Sequence, residues 1–200
     1  MMWDFLEGER VILASGSPRR RELLEKVGLR FTVKPIVIDE TVDTQLSLED
    51  AVMELSRRKA EAARVGETEG WITAADTIIA LDGEAIGKPE NREDAVRILR
   101  KLSGRQHKVI TGFTIMHIPL NRTVSGCQIT SVKFYPLSDE EIELYIATGE
   151  PMDKAGAYGA QGCGSLLIER IEGCFFNVVG LPLAELRRTW TIFIREINNG

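Results

Sequence analysis

Val11-Ile12-Leu13-Ala14-Ser15-Gly16-Ser17-Pro18-Arg19-Arg20-Arg21-Glu22-Leu23-Leu24 reads as an apolar strand that turns into a helix. Ser17 stands where an N-cap belongs, and Pro18 is the favoured first helical residue. Leu23, Leu24 and Val27 face inward from such a helix. Three arginines in its first turn have the wrong sign, because a helix N-terminus already carries about +0.5 charge from unpaired N–H groups and normally recruits Asp or Glu. The run therefore requires an anion from elsewhere, and a phosphate suits both the helix terminus and the planar guanidinium fork. Successive helical side chains point about 100° apart, so some of the arginines belong to a solvated face while at least one is assigned to the anion.

Outward from this turn the pattern stays mixed. Phe31 to Ile38 reads as an extended segment ending in Asp39-Glu40-Thr41, and Ser47 with Asp50 resembles a capping box opening a helix through about Arg64. Trp71 to Leu81 is a nearly unbroken apolar run, interrupted by Asp76 and Thr77 and closed by the turn residues Asp82-Gly83. Asn91 with Asp94 opens a helix that Gly104 stops; strands Lys108 to Ile118 and Val124 to Tyr135 follow as a hairpin. Ser138 with Glu141 starts a further capped helix ended by Gly149 and Pro151. A glycine-rich stretch, Gly156 to Gly164, leads to a strand from Ser165 to Ile171 and a final helix after Pro182. Irregular alternation around a central antiparallel hairpin predicts an α/β to α+β class with a mixed sheet rather than a clean doubly wound fold.

Composition narrows the function. With 44% hydrophobic and 28% charged residues over 200 positions, the chain is expected to be a soluble globular domain spanning 1–200, with residues 1–10 as an N-terminal extension. A net charge of -5 and a pI near 5.3 argue against a polymeric nucleic acid or an anionic membrane as partner, so basic residues matter as local clusters. Cysteines 127, 163 and 174 are odd in number, lack a C-x-x-C pair and are expected as buried reduced thiols. Without a secretory signal pattern or an apolar run of about 18 residues, a cytoplasmic location is expected.

Acid–base chemistry falls to carboxylates. The chain has two histidines and no G-x-S-x-G, H-E-x-x-H or C-x-x-C motif. Gly83 to Pro89 is one residue short of a P-loop before Lys88 and places Pro where Ser or Thr should follow. Asp76 interrupts a buried strand, so it needs a cation, a metal or a catalytic proton, and a structural Arg or Lys partner would also suffice. Hard-cation chemistry gives the sharper reading: Mg²⁺ held by Asp76 and Glu40 with substrate phosphates, Lys59, Lys88 and Arg19 neutralising phosphate oxygens, and Asp76 as base toward an in-line water.

Several motifs recur together: Leu13-Ala14-Ser15-Gly16-Ser17-Pro18-Arg19-Arg20, Glu40-Thr41, Arg58-Lys59-Ala60, Ala75-Asp76-Thr77, Gly87-Lys88-Pro89, Leu102-Ser103-Gly104, Asp153 to Tyr158 and Val179-Gly180-Leu181-Pro182. From about Val11 to Leu186 the chain resembles the Maf family of nucleoside triphosphate pyrophosphatases. The resemblance implies a two-lobed α/β fold around a mixed, strongly twisted sheet, similar to inosine triphosphate pyrophosphatases. It implies hydrolysis between the α and β phosphates to a monophosphate and pyrophosphate, with a divalent cation, usually Mg²⁺ and alternatively Mn²⁺, and leaves a homodimer open. Asp76 matches the family's catalytic acid, with Glu40 also at the metal and Ser15, Arg19, Arg20, Lys59 and Lys88 at the substrate. Arg19 after Ser-Pro, Thr77 after Asp76 and Gln161 in the glycine-rich loop resemble the subgroup acting on dTTP, UTP and modified uridine nucleotides. The subgroup preferring 7-methyl-GTP tends to carry Trp and Gln at the first two of these positions. An amide at Gln161 offers a donor and an acceptor to the O4/N3 edge of a pyrimidine. The competing expectation is a non-enzymatic, nucleotide-binding regulator of septum formation, and a nucleotidyltransferase is the third.

Overall fold

The structure, a computed structural model, describes residues 2–41, 43 and 45–199; Met1 and Gly200, the ends of the expected domain, lie outside the described residues with Val42 and Thr44. In chain order the elements are β1 (Val11–Leu13), α1 (Pro18–Lys26), β2 (Thr32–Val33), α2 (Leu48–Arg64), β3 (Trp71–Leu81), β4 (Glu84–Ile86), α3 (Arg92–Leu102) and β5 (Gln106–His117). They continue with β6 (Arg122–Phe134), α4 (Asp139–Ala147), β7 (Ile168–Glu172), α5 (Phe175–Val179) and α6 (Leu183–Asn198). Among the described residues the strands form one seven-stranded sheet, ordered β2-β1-β3-β5-β6-β7, with β4 paired to β3. β1 runs parallel to β2 and β3, whereas β4 is antiparallel to β3 and β7 to β6. The sheet is therefore mixed, as the sequence predicts.

The helix boundaries follow their caps. Asp50 N–H donates to Ser47 Oγ at 3.1 Å, Asp94 N–H donates to Asn91 Oδ1 at 2.8 Å, and Ser138 with Glu141 forms a reciprocal capping box. Ser17 takes the N-cap position of α1 with Pro18 inside it, but its side chain makes no cap hydrogen bond and the first turn holds no acidic residue.

Two expectations need correction. Only Thr32–Val33 of the 31–38 segment is strand; Lys34 N–H still donates to Leu13 O at 3.0 Å, while its side chain already bonds Ala63 O of α2. Residues 163–167 form a 3-10 turn rather than the start of β7, since the loop closes on itself through Ser165 N–H to Gly162 O at 3.0 Å. Within the expected N-terminal extension, Trp3 is buried against Trp190 at 6.1 Å between ring centroids and donates its indole N–H to Val27 O at 3.1 Å.

Two compact units divide the chain: Met1–Asp76, Thr111–Gln128 and Gly180–Gly200 form the first, Thr77–Ile110 and Ile129–Val179 the second. The first unit's core sets small residues of α2, Ala60 and Ala63, against Ile12, Ala14, Ile72, Ala74, Met116 and Ile118. That economy of side chain lets α2 approach the sheet backbone closely. A Cβ on Gly112 of β5 would fall 2.5 Å from the carbonyl of Val52, so only glycine fits beneath the helix. The second unit packs α3 and α4 through Ile98, Leu99, Leu102, Ile142 and Ile146 onto Ile79, Leu81 and Phe134.

The cysteines are unpaired by disulfide, but Cys163 is exposed and Cys127 and Cys174 only partly buried, contrary to the expectation of buried thiols. Burial, with Glu49 and Asp50 nearby, pushes the Cys127 thiol up to about 11, so it stays protonated at neutral pH. Among the described residues no helix is long and apolar enough to cross a membrane.

Candidate active site

Lys59 lies on the inward face of α2, the same face as Val52, Leu55, Ala60 and Ala63, and is only 9% exposed. A buried ammonium needs partners, and this one has two carboxylates. Its Nζ donates to Asp76 Oδ1 at 2.5 Å and to Glu40 Oε1 at 2.8 Å. Asp76, also 9% exposed, comes from the middle of β3, so the buried charge that interrupts the apolar strand is neutralised by a helix residue seventeen positions earlier.

Glu40 reaches this pair because its loop is tied to α2 at two points, the C-terminus and Arg58. Lys34 Nζ donates to Ala63 O at 2.7 Å and Val65 O at 2.9 Å, satisfying carbonyls at the helix C-terminus. Arg58, the neighbour of Lys59, donates to Thr41 O at 2.7 Å and also to Asp39 O. Asp39 Oδ1 accepts from Thr41 N–H and Thr41 Oγ1, bonds that hold its carboxyl below the ordinary value. Glu40 is thus clamped between two residues fixed by Arg58.

The strand-to-helix turn lies alongside the part of β3 that bears Asp76. Leu13 pairs with Thr73, and Ala14 N–H donates to Thr73 O at 2.8 Å. Beyond that point Arg20 reaches back from α1: Nε donates to Gly180 O at 2.8 Å, and Nη1 donates to Ala75 O at 2.8 Å and Ser15 Oγ at 3.4 Å. Burial lowers the Arg20 pKa from its ordinary value, and Asp76 works in the opposite direction. A guanidinium starts so high that it remains a cation. Ser15 is buried and accepts from Ser17 N–H at 3.2 Å.

The arginine run therefore divides by environment. Arg21 pairs with Glu25 on the exposed face of α1, Arg20 fastens the turn to the backbone on either side of the site, and Arg19 is half-buried in the first turn. Of the expected site residues, Ser15, Arg20, Glu40, Lys59 and Asp76 are joined by direct contacts or by the Ala75–Asp76 peptide. Thr77, Lys88 and Gln161 belong to the second unit. There Lys88 is exposed after β4, where Gly87 O accepts from Gly156 N–H at 2.9 Å, and Gln161 is exposed in the glycine-rich loop. Sequence reading did not assign Arg58 and Lys34 to this loop, and no spacing signal marks either.

A divalent cation is a chemical fit for this donor set. Two carboxylates already converge on one positive charge at 2.5 and 2.8 Å, and hard cations accept one or two protein carboxylates completed by phosphate oxygens. Among the described residues no group of three or more His, Cys, Asp or Glu side chains is gathered as a metal centre, so Glu40 and Asp76 are the protein donors this reading uses.

The site thus sets a lysine buried between two carboxylates beside an arginine-rich strand-to-helix turn in a mixed α/β protein. The chain belongs to the Maf family, whose description, Maf-like protein, matches residues 10–192. It is 51% identical over 179 residues to a dTTP/UTP pyrophosphatase of Carboxydothermus hydrogenoformans, covering 90% of this chain and 96% of that protein. A dTTP/UTP pyrophosphatase of Desulforamulus reducens is 44% identical over 187 residues, covering 94% and 98%. The solved structure of the Staphylococcus aureus Ham1 protein aligns over 64% of this chain and 73% of that one at 17% identity and a TM-score of 0.47, a distant likeness that carries no weight for fold or function.

Proposed function

We propose that this protein hydrolyses dTTP and UTP, together with modified uridine nucleotides, at the α–β phosphoanhydride, releasing the nucleoside monophosphate and pyrophosphate and so clearing unwanted nucleotides from the pool. The observation that carries the reading is the Asp76–Lys59–Glu40 cluster, present in a chain half identical to a protein bearing that activity in its name.

In this mechanism Asp76 accepts the proton of the attacking water as its oxygen bonds to phosphorus, and pyrophosphate leaves with the bridging electron pair. Lys59 holds the Asp76 carboxylate in place through its hydrogen bond before the reaction. Arg19 and the N–H groups at the start of α1 take the phosphate oxygens, where charge develops as the bond breaks. Arg20 and Ser15 hold the turn that carries these donors. Glu40 and Asp76 would hold a divalent cation, Mg²⁺ first, which supplies Lewis-acid polarisation of the phosphoryl group when bound. Gln161 and Thr77 select the pyrimidine.

The test is chromatographic identification of products from dTTP, UTP, CTP, GTP and 7-methyl-GTP with Mg²⁺ or Mn²⁺, with Asp76→Asn beside the wild type. Selective formation of monophosphate and pyrophosphate from dTTP and UTP, lost in the variant while nucleotide binding persists, is expected. Near-normal turnover by Asp76→Asn removes Asp76 from the mechanism, and no turnover of any nucleotide replaces the enzyme with a nucleotide-binding regulator.

A further inference from the structure

Glu150 lies in the second unit, in a 3-10 turn just past α4, and its carboxylate is enclosed by the glycine-rich loop. Oε1 accepts from Tyr145 Oη at 3.0 Å and from Gly164 N–H at 3.2 Å, while Oε2 accepts from Cys163 N–H at 2.8 Å. Tyr145 Oη in turn accepts from Gly159 N–H at 3.1 Å. One carboxylate thus fastens the end of the loop directly and its beginning through a tyrosine. Burial pushes the Tyr145 pKa up, which keeps its hydroxyl proton available for Glu150.

The loop's glycines fit this anchor. A Cβ on Gly162 would fall 2.2 Å from Glu150 Oε2, one on Gly159 2.9 Å from Oε1, and one on Gly164 2.7 Å from Tyr145 Oη. Lys154 Nζ donates to Glu150 O at 2.6 Å and fixes the backbone from which the carboxylate projects. Gly159 and Cys163, both tied to the anchor, flank Gln161, which is exposed between them.

We infer that Glu150 is a positioning residue for base recognition: with Tyr145 it holds the 159–164 loop in the shape that presents the Gln161 amide to the O4/N3 edge of a pyrimidine nucleotide. The inference rests on the pyrimidine triphosphate reading above. Glu150 touches no substrate and acts through Gln161. Replacing its Oε2 by an amide NH₂ sets two donors against each other at Cys163 N–H, or turns the amide and sets them against each other at Gly164, so the loop is released at one end.

The experiment compares wild type, Glu150→Gln, Gln161→Ala and the double variant in steady-state kinetics with dTTP, UTP, CTP and GTP. Glu150→Gln is expected to raise KM for dTTP and UTP about tenfold, with kcat far less affected, and to lower the preference for them over CTP and GTP by a similar factor. The double variant is expected to lose no more discrimination than Gln161→Ala alone, because both changes remove the same contact. Tyr145→Phe keeps the aromatic ring in the core and deletes only the hydroxyl, and it decides the matter if Glu150→Gln does not fold; it should shift KM and discrimination in the same direction and speed amide exchange at Gly159. Unchanged discrimination in a folded Glu150→Gln or Tyr145→Phe, or additive effects of Glu150 and Gln161, overturns the inference and leaves the functional reading standing. A wild type with no preference for dTTP and UTP over CTP and GTP overturns both.

Discussion

Lowering the pH should unload stability from one buried imidazole, and the amount follows from its surroundings. His107, at the start of β5, is fully enclosed in the second unit, with ring contacts to Phe134 and Tyr158. Its Nε2 is hydrogen-bonded to Tyr158 Oη at 2.8 Å, while its buried Nδ1 finds no partner among the described residues. Protonation would give the ring a second N–H facing no acceptor, and burial accordingly lowers its pKa from 6.5 to about 4. The unfolded chain therefore takes up the proton first. The stabilisation is complete above about pH 6.5 and is lost as the pH falls through 6.5 toward 4. Linkage between these two values gives a loss of about 1 kcal/mol at pH 5.5 and about 3 kcal/mol at pH 4, relative to pH 8. Urea unfolding at the three pH values reads this slope directly. The control is the double variant His107→Phe/Tyr158→Phe, which removes both hydrogen-bonding partners and leaves no polar atom stranded. Its absolute stability will change through repacking, but its pH slope should be shallower than wild type by the amounts above. Parallel slopes for the two proteins would show that His107 is not held neutral in the fold and would refute the argument.

Other outcomes follow from single contacts. Gly112→Ala places a methyl within 2.5 Å of the Val52 carbonyl and should cost about 2 kcal/mol in urea unfolding, and the shift it forces on α2, which carries Lys59, should lower kcat. Lys59→Met leaves the Asp76 carboxylate buried without its cation, so thermal unfolding should register a loss of about 3 kcal/mol and turnover should vanish. Trp190→Ala empties the site between Trp3 and Trp71 and should cost about 4 kcal/mol by calorimetry, whereas Trp190→Phe should recover most of it.

The mixed class, the capped helices and the strand-to-helix turn were legible because capping, periodicity and turn chemistry act over a few residues, and Ser47, Asn91, Ser138 and Pro18 stand where such local rules put them. A charged Asp76 in an apolar strand likewise announced that a partner had to exist, since burial of a lone charge is too costly. Which partner it found was not a matter of spacing. Lys59 could be recognised by motif, but its seat between Asp76 and Glu40 depends on how α2 settles over β5, and that depends on the missing side chain at Gly112. Arg20 carries the expected anion role with its neighbours, and only the fold shows that Gly180, 160 residues away, accepts a hydrogen bond from its Nε. Glu150 gave no signal at all: a glutamate after a helix-ending glycine reads as a surface residue, and only the return of the chain at Gly159 to Gly164 encloses its carboxylate. Local torsional preferences fix elements within a turn or two of sequence, whereas hydrogen bonds between distant residues are decided only when packing brings their backbones within about 3 Å.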